Sequence, residues 1–213
     1  MAGLTNWLQT PRFYDGHLVL ILSYAVVWVP FLGAVGVACF LRGTRSLAHD
    51  VGLRITFFDV LLGVGAGFLV RAIAGIIEIA FIGRMSGLGV TFGDTVYDGW
   101  WVFGTILAPV LLAPFVEELF FRGLLQRALL QAGSHRLSAR SATVLSIITS
   151  AALFALLHLT QAANPIGAAV LGISAVTFGL AAALIAGLTG RIGGAIIAHV
   201  VFNGSLVAAS LFS

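Results

Sequence analysis

The sequence contains no lysine: all 11 of its cationic side chains are arginines, set against 8 acidic residues in a chain of 213. Charged residues make up 9% of the chain, against roughly 25% in an ordinary soluble domain. With so few charges the chain has no polar coat to offer water, which excludes an ordinary globular domain. The formal charge of +3 is spread over scattered arginines, so no basic run exists to track phosphates and a nucleic-acid partner is excluded. A single cysteine, Cys39, excludes a disulfide framework. It lies in an apolar run and reads as a small packing residue rather than a nucleophile. Phosphate-binding glycine fingerprints are missing too, although 26 glycines are present. Runs such as Gly63-Val-Gly65-Ala-Gly67 suit close helix–helix approach in lipid instead.

Hydrophobic residues make up 60% of the chain, and the mean hydropathy is +1.08. A membrane-spanning helix needs about 20 mostly apolar residues. Six segments fit or nearly fit: 18–41, 57–82, 100 to about 130, 143–160, 168–188 and 192–211. The expected fold is an all-α, polytopic transmembrane helix bundle with about six spanning helices, forming a single integral membrane domain over 1–213. The first apolar run is too long for a cleaved signal segment and is read as the first span. Arg42, Arg45 and Arg54 follow the first span; Arg122, Arg127, Arg136 and Arg140 belong to the end of the third and beyond; Arg191 follows the fifth. The alternate set holds Arg12 and Arg84. The arginine-rich set is expected on the cytoplasmic side. Both termini and a loop over 83–99, with Asp94 and Asp98, then lie outside, and Trp100 and Trp101 sit at the outer interface. Arginine in place of lysine, with abundant Ala and Gly, suggests a bacterial plasma membrane.

The sharpest chemical feature is Phe115-Val-Glu117-Glu118-Leu-Phe-Phe121-Arg122-Gly123, two adjacent carboxylates between apolar runs. A charge at the centre of a spanning helix costs roughly 2.5–3.5 kcal/mol on insertion scales, so such groups face a bundle interior, a water cavity or a partner. Glu118 and Arg122, at i,i+4, can pair on one face, while Glu117 points about 100° away and stays free to take a proton. The plainer reading is an interfacial ion cluster at a helix end. Phe154 and His158 share a face of the fourth span, where a histidine can also be a packing residue. His199 and Asn203 share a face of the sixth. Their donors can hold a developing oxyanion, or they form an interhelical hydrogen-bond clamp. His17, His49 and His135 fall in or beside loops. Asp59, Arg71 and Glu78 suggest a second intramembrane polar cluster, structural or cavity-lining. Pro109 and Pro114 are expected to kink the third span and free carbonyls just before Glu117. A count along the spans sets Glu117 and His158 about 10–15 Å apart in depth unless the third span is longer or bent.

These three motifs, in this order, resemble those of the CPBP family of intramembrane proteases, which includes CAAX prenyl proteases and bacteriocin-processing (Abi-like) proteins. Its EExxxR is matched by Glu117, Glu118 and Arg122, its FxxxH by Phe154 and His158, and its HxxxN by His199 and Asn203. The likeness covers residues 100–213. It implies an endopeptidase in the lipid bilayer, acting on a peptide or membrane-protein substrate. Glu117 would be the general base and hold the attacking water with His158. His199 and Asn203 would stabilise the oxyanion, and Glu118 with Arg122 would orient the site. Glu117, His158 and His199 are the donors a zinc ion would take, but they lie on three helices without the local spacing of HExxH zincins. A metal-free glutamate mechanism without a cofactor is favoured. The site is expected to open toward the cytoplasm. Two other classes stay open: a catalytically silent scaffold for partner membrane proteins, and a small transporter, against which the lack of an obvious inverted repeat counts.

Overall fold

The computed structural model describes residues 16–85 and 98–211. Among the described residues the regular structure is six long helices and one helical turn, Leu47–Asp50, with no strand. The helices are α1 (Gly16–Leu41), α2 (Phe57–Ile82), α3 (Gly99–Ser134), α4 (Ala139–Leu159), α5 (Pro165–Thr189) and α6 (Gly193–Leu211). The first five are long and apolar enough to cross a membrane, whereas the apolar stretch of α6, Gly193–Ala209, is shorter. The all-α polytopic bundle is as expected, with five full-length spans where about six were counted. α6 begins at Gly193, one residue after the expected start, and Arg191 just before it is pinned to Asp59 at the start of α2. Arg12 and Asp94 lie outside the described residues.

Large apolar side chains cover the outside of the bundle, among them Val26, Leu61, Leu69, Ile76, Leu156 and Leu188, each more than half exposed. In water they would make an aggregating surface. In lipid they match the solvent, while the helices satisfy their own backbone groups.

Helix starts follow from local hydrogen bonds. Thr56 caps α2 in a capping box with Asp59. Ser138 caps α4, and Asn164 with Pro165 caps α5. These caps begin α4 at Ala139 and α5 at Pro165, earlier than the apolar runs that start at 143 and 168. Gly190, at φ +66°, ends α5 in the left-handed conformation that glycine adopts without strain.

The most extensive helix–helix contact among the described residues is that of α2 with α6. A Cβ on Gly63 would lie 2.7 Å from the Gly194 carbonyl oxygen, and one on Gly67 would lie 2.7 Å from that of Ala198. The small-xxx-small pattern thus sets how near the two backbones come. Gly65, between them, faces open space.

The arginine-rich segments meet at one end of the bundle. The Ile192 N–H donates to the Gly52 carbonyl at 3.0 Å. Arg127 donates to the carbonyls of His49 and Gly190. Arg191 donates twice to the Asp59 carboxylate, at 2.8 and 3.1 Å. Asp59 is therefore spent on Arg191 and Thr56 and does not join Arg71 and Glu78, correcting the expected three-residue cluster. In the same layer the Asp50 carboxylate accepts from the Thr44 hydroxyl and from the backbone N–H groups of Thr44 and Ser46. These bonds, the Thr44 hydroxyl foremost, hold its pKa down to about 2 from an ordinary 3.8. The stability drawn from this loop is complete above the ordinary value and is lost as pH falls toward the lower one.

The glycine seam makes a paired prediction. Gly67→Ala should destabilise the detergent-solubilised protein by about 1–3 kcal/mol, the usual cost of overpacking. Gly65→Ala should leave it unchanged or gain up to ~1 kcal/mol of helix propensity. Thermal melts of the two variants check this; equal melting temperatures would count against the seam.

Candidate active site

Helix α3 carries the two adjacent glutamates, and its backbone departs from the α pattern twice, with π hydrogen bonding over Val102–Leu112 and Leu119–Leu125. The first departure has a covalent cause. The Ala113 N–H donates to the Ala108 carbonyl, five residues back. In that register the Pro109 carbonyl would need the N–H of residue 114, which is proline and has none. A carbonyl left bare in the bundle is costly. Asn203 of α6 supplies the donor, its Nδ2 lying 2.7 Å from the Pro109 oxygen. The proline pair thus frees a carbonyl, as expected, and Asn203 closes it. The clamp reading of Asn203 describes this bond, and one N–H of its amide remains for other use.

One turn on, Glu118 and Arg122 are almost wholly enclosed, at 0% and 1% exposure. Arg122 Nη1 donates to Glu118 Oε1 at 3.0 Å, and Nη2 donates to the Gly179 carbonyl of α5 at 3.1 Å. His199 Nδ1 lies 2.9 Å from the same Glu118 oxygen. Glu118 is thus the hub where α3 and α6 meet, with α5 joined through Arg122. The guanidinium also sits 4.5 Å from the centroid of the Phe154 ring, a cation–π contact that strengthens away from water. Phe154 is therefore more than a spacer for His158: its ring covers the arginine and its carbonyl holds the histidine.

Glu117 turns the other way, as helical phase requires, and is only partly buried. Its Oε2 makes no hydrogen bond to a described residue. His158 Nε2 lies 3.9 Å from that oxygen, too long for a direct hydrogen bond and near the span that one small polar molecule bridges. His158 Nδ1 lies 2.9 Å from the Phe154 carbonyl. A carbonyl only accepts, so Nδ1 carries the hydrogen, and the ring in its neutral form has its lone pair at Nε2. The expected gap in depth disappears because α3 is longer than its apolar run. Measured from the turn that joins the two helices, Glu117 stands roughly 26 Å up α3 and His158 roughly 29 Å up α4, at about 1.5 Å per residue.

Both groups border a cavity of about 430 Å³, whose walls also include Tyr24, Arg71, Glu78, Ser174, Phe178, His199 and Asn203. Arg71 and Glu78 form a two-pronged ion pair in its wall, at 2.8 and 3.2 Å, which settles the choice between structural and cavity-lining in favour of both. Tyr24, Ser174 and Phe178 carried no usable sequence signal: each is a lone residue in an apolar span, and convergence on the cavity is a tertiary fact. His17, His49 and His135 are exposed and stand away from this cavity wall. Cys39 is fully buried among apolar side chains, as a packing residue would be. The cavity reaches Ile82 at the end of α2, Gln161 after α4 and Gly167 at the start of α5. All three lie at the end opposite the arginine-rich loops, so the expected opening toward the arginine-rich face is not what this placement gives. The expectation ignored that His158 ends α4 at the far side.

Among the described residues no group of three or more His, Cys, Asp or Glu side chains is arranged to hold a metal ion. His199 has turned Nδ1 to Glu118 and His158 has turned Nδ1 to a carbonyl.

A polytopic helical membrane protein with a carboxylate and two imidazoles facing one internal cavity is the class that fold and site define. The model of the Rce1-like family, described as type II CAAX prenyl endopeptidase Rce1-like, matches residues 99–205. The chain belongs to this family, and with it to the membrane-embedded proteases. Comparison with curated proteins and with solved structures yields no match.

The Glu118 hub predicts an asymmetry. Arg122→Met leaves a buried carboxylate without its guanidinium and should cost about 3–5 kcal/mol. Adding Glu118→Gln to it should recover part of that loss, because the stranded charge is then gone. Thermal unfolding in detergent measures both; a double variant less stable than Arg122→Met alone would contradict the hub.

Proposed function

We propose that this protein is an intramembrane endopeptidase that hydrolyses a peptide bond with water activated by Glu117. The observation that carries the reading is Glu117 Oε2, without a hydrogen bond and 3.9 Å from His158 Nε2, beside Glu118, whose Oε1 is held by Arg122 and His199. A water at that gap donates one hydrogen bond to Glu117 and one to His158, leaving its lone pairs directed into the cavity. As the water oxygen attacks the peptide carbonyl carbon, Glu117 takes its proton. The carbonyl oxygen becomes an oxyanion. His199, held through Nδ1 by Glu118, stands beside the oxyanion and answers its charge. The second N–H of Asn203 assists. Glu117 then returns its proton to the leaving amine nitrogen, the C–N bond breaks, and the carboxylate is restored. Arg122 and Glu118 position the other groups through charge and do not touch the substrate.

The step needs no metal. The substrate class is a membrane-associated protein or peptide. The arginine-for-lysine bias favours a bacterial plasma membrane, where prenylated proteins are not an ordinary product, so cleavage need not involve a prenyl group. The cytoplasmic opening is not carried into this reading, because the cavity lies in the other half of the bundle.

The purified protein, reconstituted in liposomes with a panel of labelled peptides, tests the mechanism. Glu117→Ala should lower kcat by about 10²–10⁴, the usual worth of a general base, with normal insertion and folding. His158→Ala should lower it as well, and cleavage should survive a strong zinc chelator. Loss of activity on chelation would replace the metal-free step with a metal-dependent one. A cellular function untouched by Glu117→Ala would support a silent scaffold instead.

A further inference from the structure

We infer that the cavity takes its substrate from the extracytoplasmic face of the membrane, so that the substrate class is an exported peptide or an outward-facing segment of a membrane protein. This rests on the protease reading for the word substrate, but the sidedness stands on separate observations. The first is charge. The loop between α1 and α2 holds Arg42, Arg45 and Arg54, the α3–α4 connection follows Arg127 and holds Arg136, and Arg140 opens α4. Arg191 lies between α5 and α6. The bonds of Arg127 to His49 and Gly190, of Ile192 to Gly52 and of Arg191 to Asp59 bring these segments together at one end of the bundle. Arginine-rich short loops stay on the cytoplasmic side. At the opposite end the described residues include one arginine beyond the helices, Arg84, with Asp98 as the nearby acid.

The second observation is where the cavity lies. Its floor is formed by Glu117, Phe178 and His199, and its walls run to Ile82, Gln161 and Gly167, the helix ends farthest from the arginine cluster. Between floor and cluster stand the bonded side chains of Glu118, Arg122 and His199 and, beside them, Gln126, bonded to the Ala183 carbonyl; a separate cavity of about 280 Å³ on the arginine side ends against Arg122 and Gln126. A polypeptide coming from the arginine side would have to break through these side chains. From the other side, Gln161 is exposed at the rim. An extended segment could reach the gap between Glu117 and His158 past it.

The sidedness is measurable without any cleavage. In a Cys39→Ala background, Gln161→Cys and Arg136→Cys place single thiols at the two ends, both at exposed positions. Spheroplasts of a bacterial expression host are treated with a membrane-impermeant maleimide before and after detergent. Gln161→Cys should label in intact spheroplasts at least tenfold more than Arg136→Cys, and both should label equally after detergent. The reverse pattern, or equal labelling of both thiols in intact spheroplasts, overturns the inference. A peptide that is cleaved when added outside spheroplasts carrying wild-type protein, and not with Glu117→Ala, adds the substrate. The expected labelling without such cleavage would leave the sidedness standing and count against the protease reading.

Discussion

The polar centre of the bundle is arranged around one oxygen, Glu118 Oε1, which receives Arg122 from its own helix and His199 from α6. An ionised carboxylate in a lipid-facing bundle is tolerated only when its charge is answered on the spot. The answer here is supplied by groups that are themselves anchored, Arg122 by the Gly179 carbonyl and the Phe154 ring, His199 by the edge of Phe154 and the tilted ring of Phe178. The cost of burying the charge is thereby converted into a fixed distance between α3, α5 and α6.

Neighbouring glutamates thus acquire opposite characters from geometry alone. Helical phase sends Glu118 into a closed network and Glu117 into a cavity. The first gives Oε1 to Arg122 and His199, and the second has its Oε2 within 3.9 Å of His158 Nε2. Two identical side chains, adjacent in sequence, are given different surroundings by a rotation of about 100°.

Most of the fold was legible because lipid imposes a coarse rule on composition: a span is a run of about 20 apolar residues, and the bounds of α2 match such a run at both ends. The starts of α4 and α5 were less legible, since Ser138 and Asn164 act through single hydrogen bonds that hydropathy does not register. The pairing of Glu118 with Arg122 and the opposite aim of Glu117 could be read from spacing. That His199 would face Glu118 rather than open space could not, because the contact spans 81 residues of sequence. Nor could the partner of Asp59: nothing local distinguishes a carboxylate destined for Arg191 from one destined for Arg71. The depth of Glu117 was misjudged for a related reason, as the amphipathic end of α3, Gln126–Ser134, continues the helix beyond its apolar run.

The wide turn at Pro109–Pro114 has one more consequence. A π turn takes up more residues than an α turn, so a count of 3.6 residues per turn carried through it misplaces each following side chain by about 100° for every residue absorbed. The aim of Glu117, Glu118 and Arg122 relative to the start of α3 is therefore set by where the ladder was interrupted. In a chain of this type, register in the third helix is inherited information as much as the side chains are.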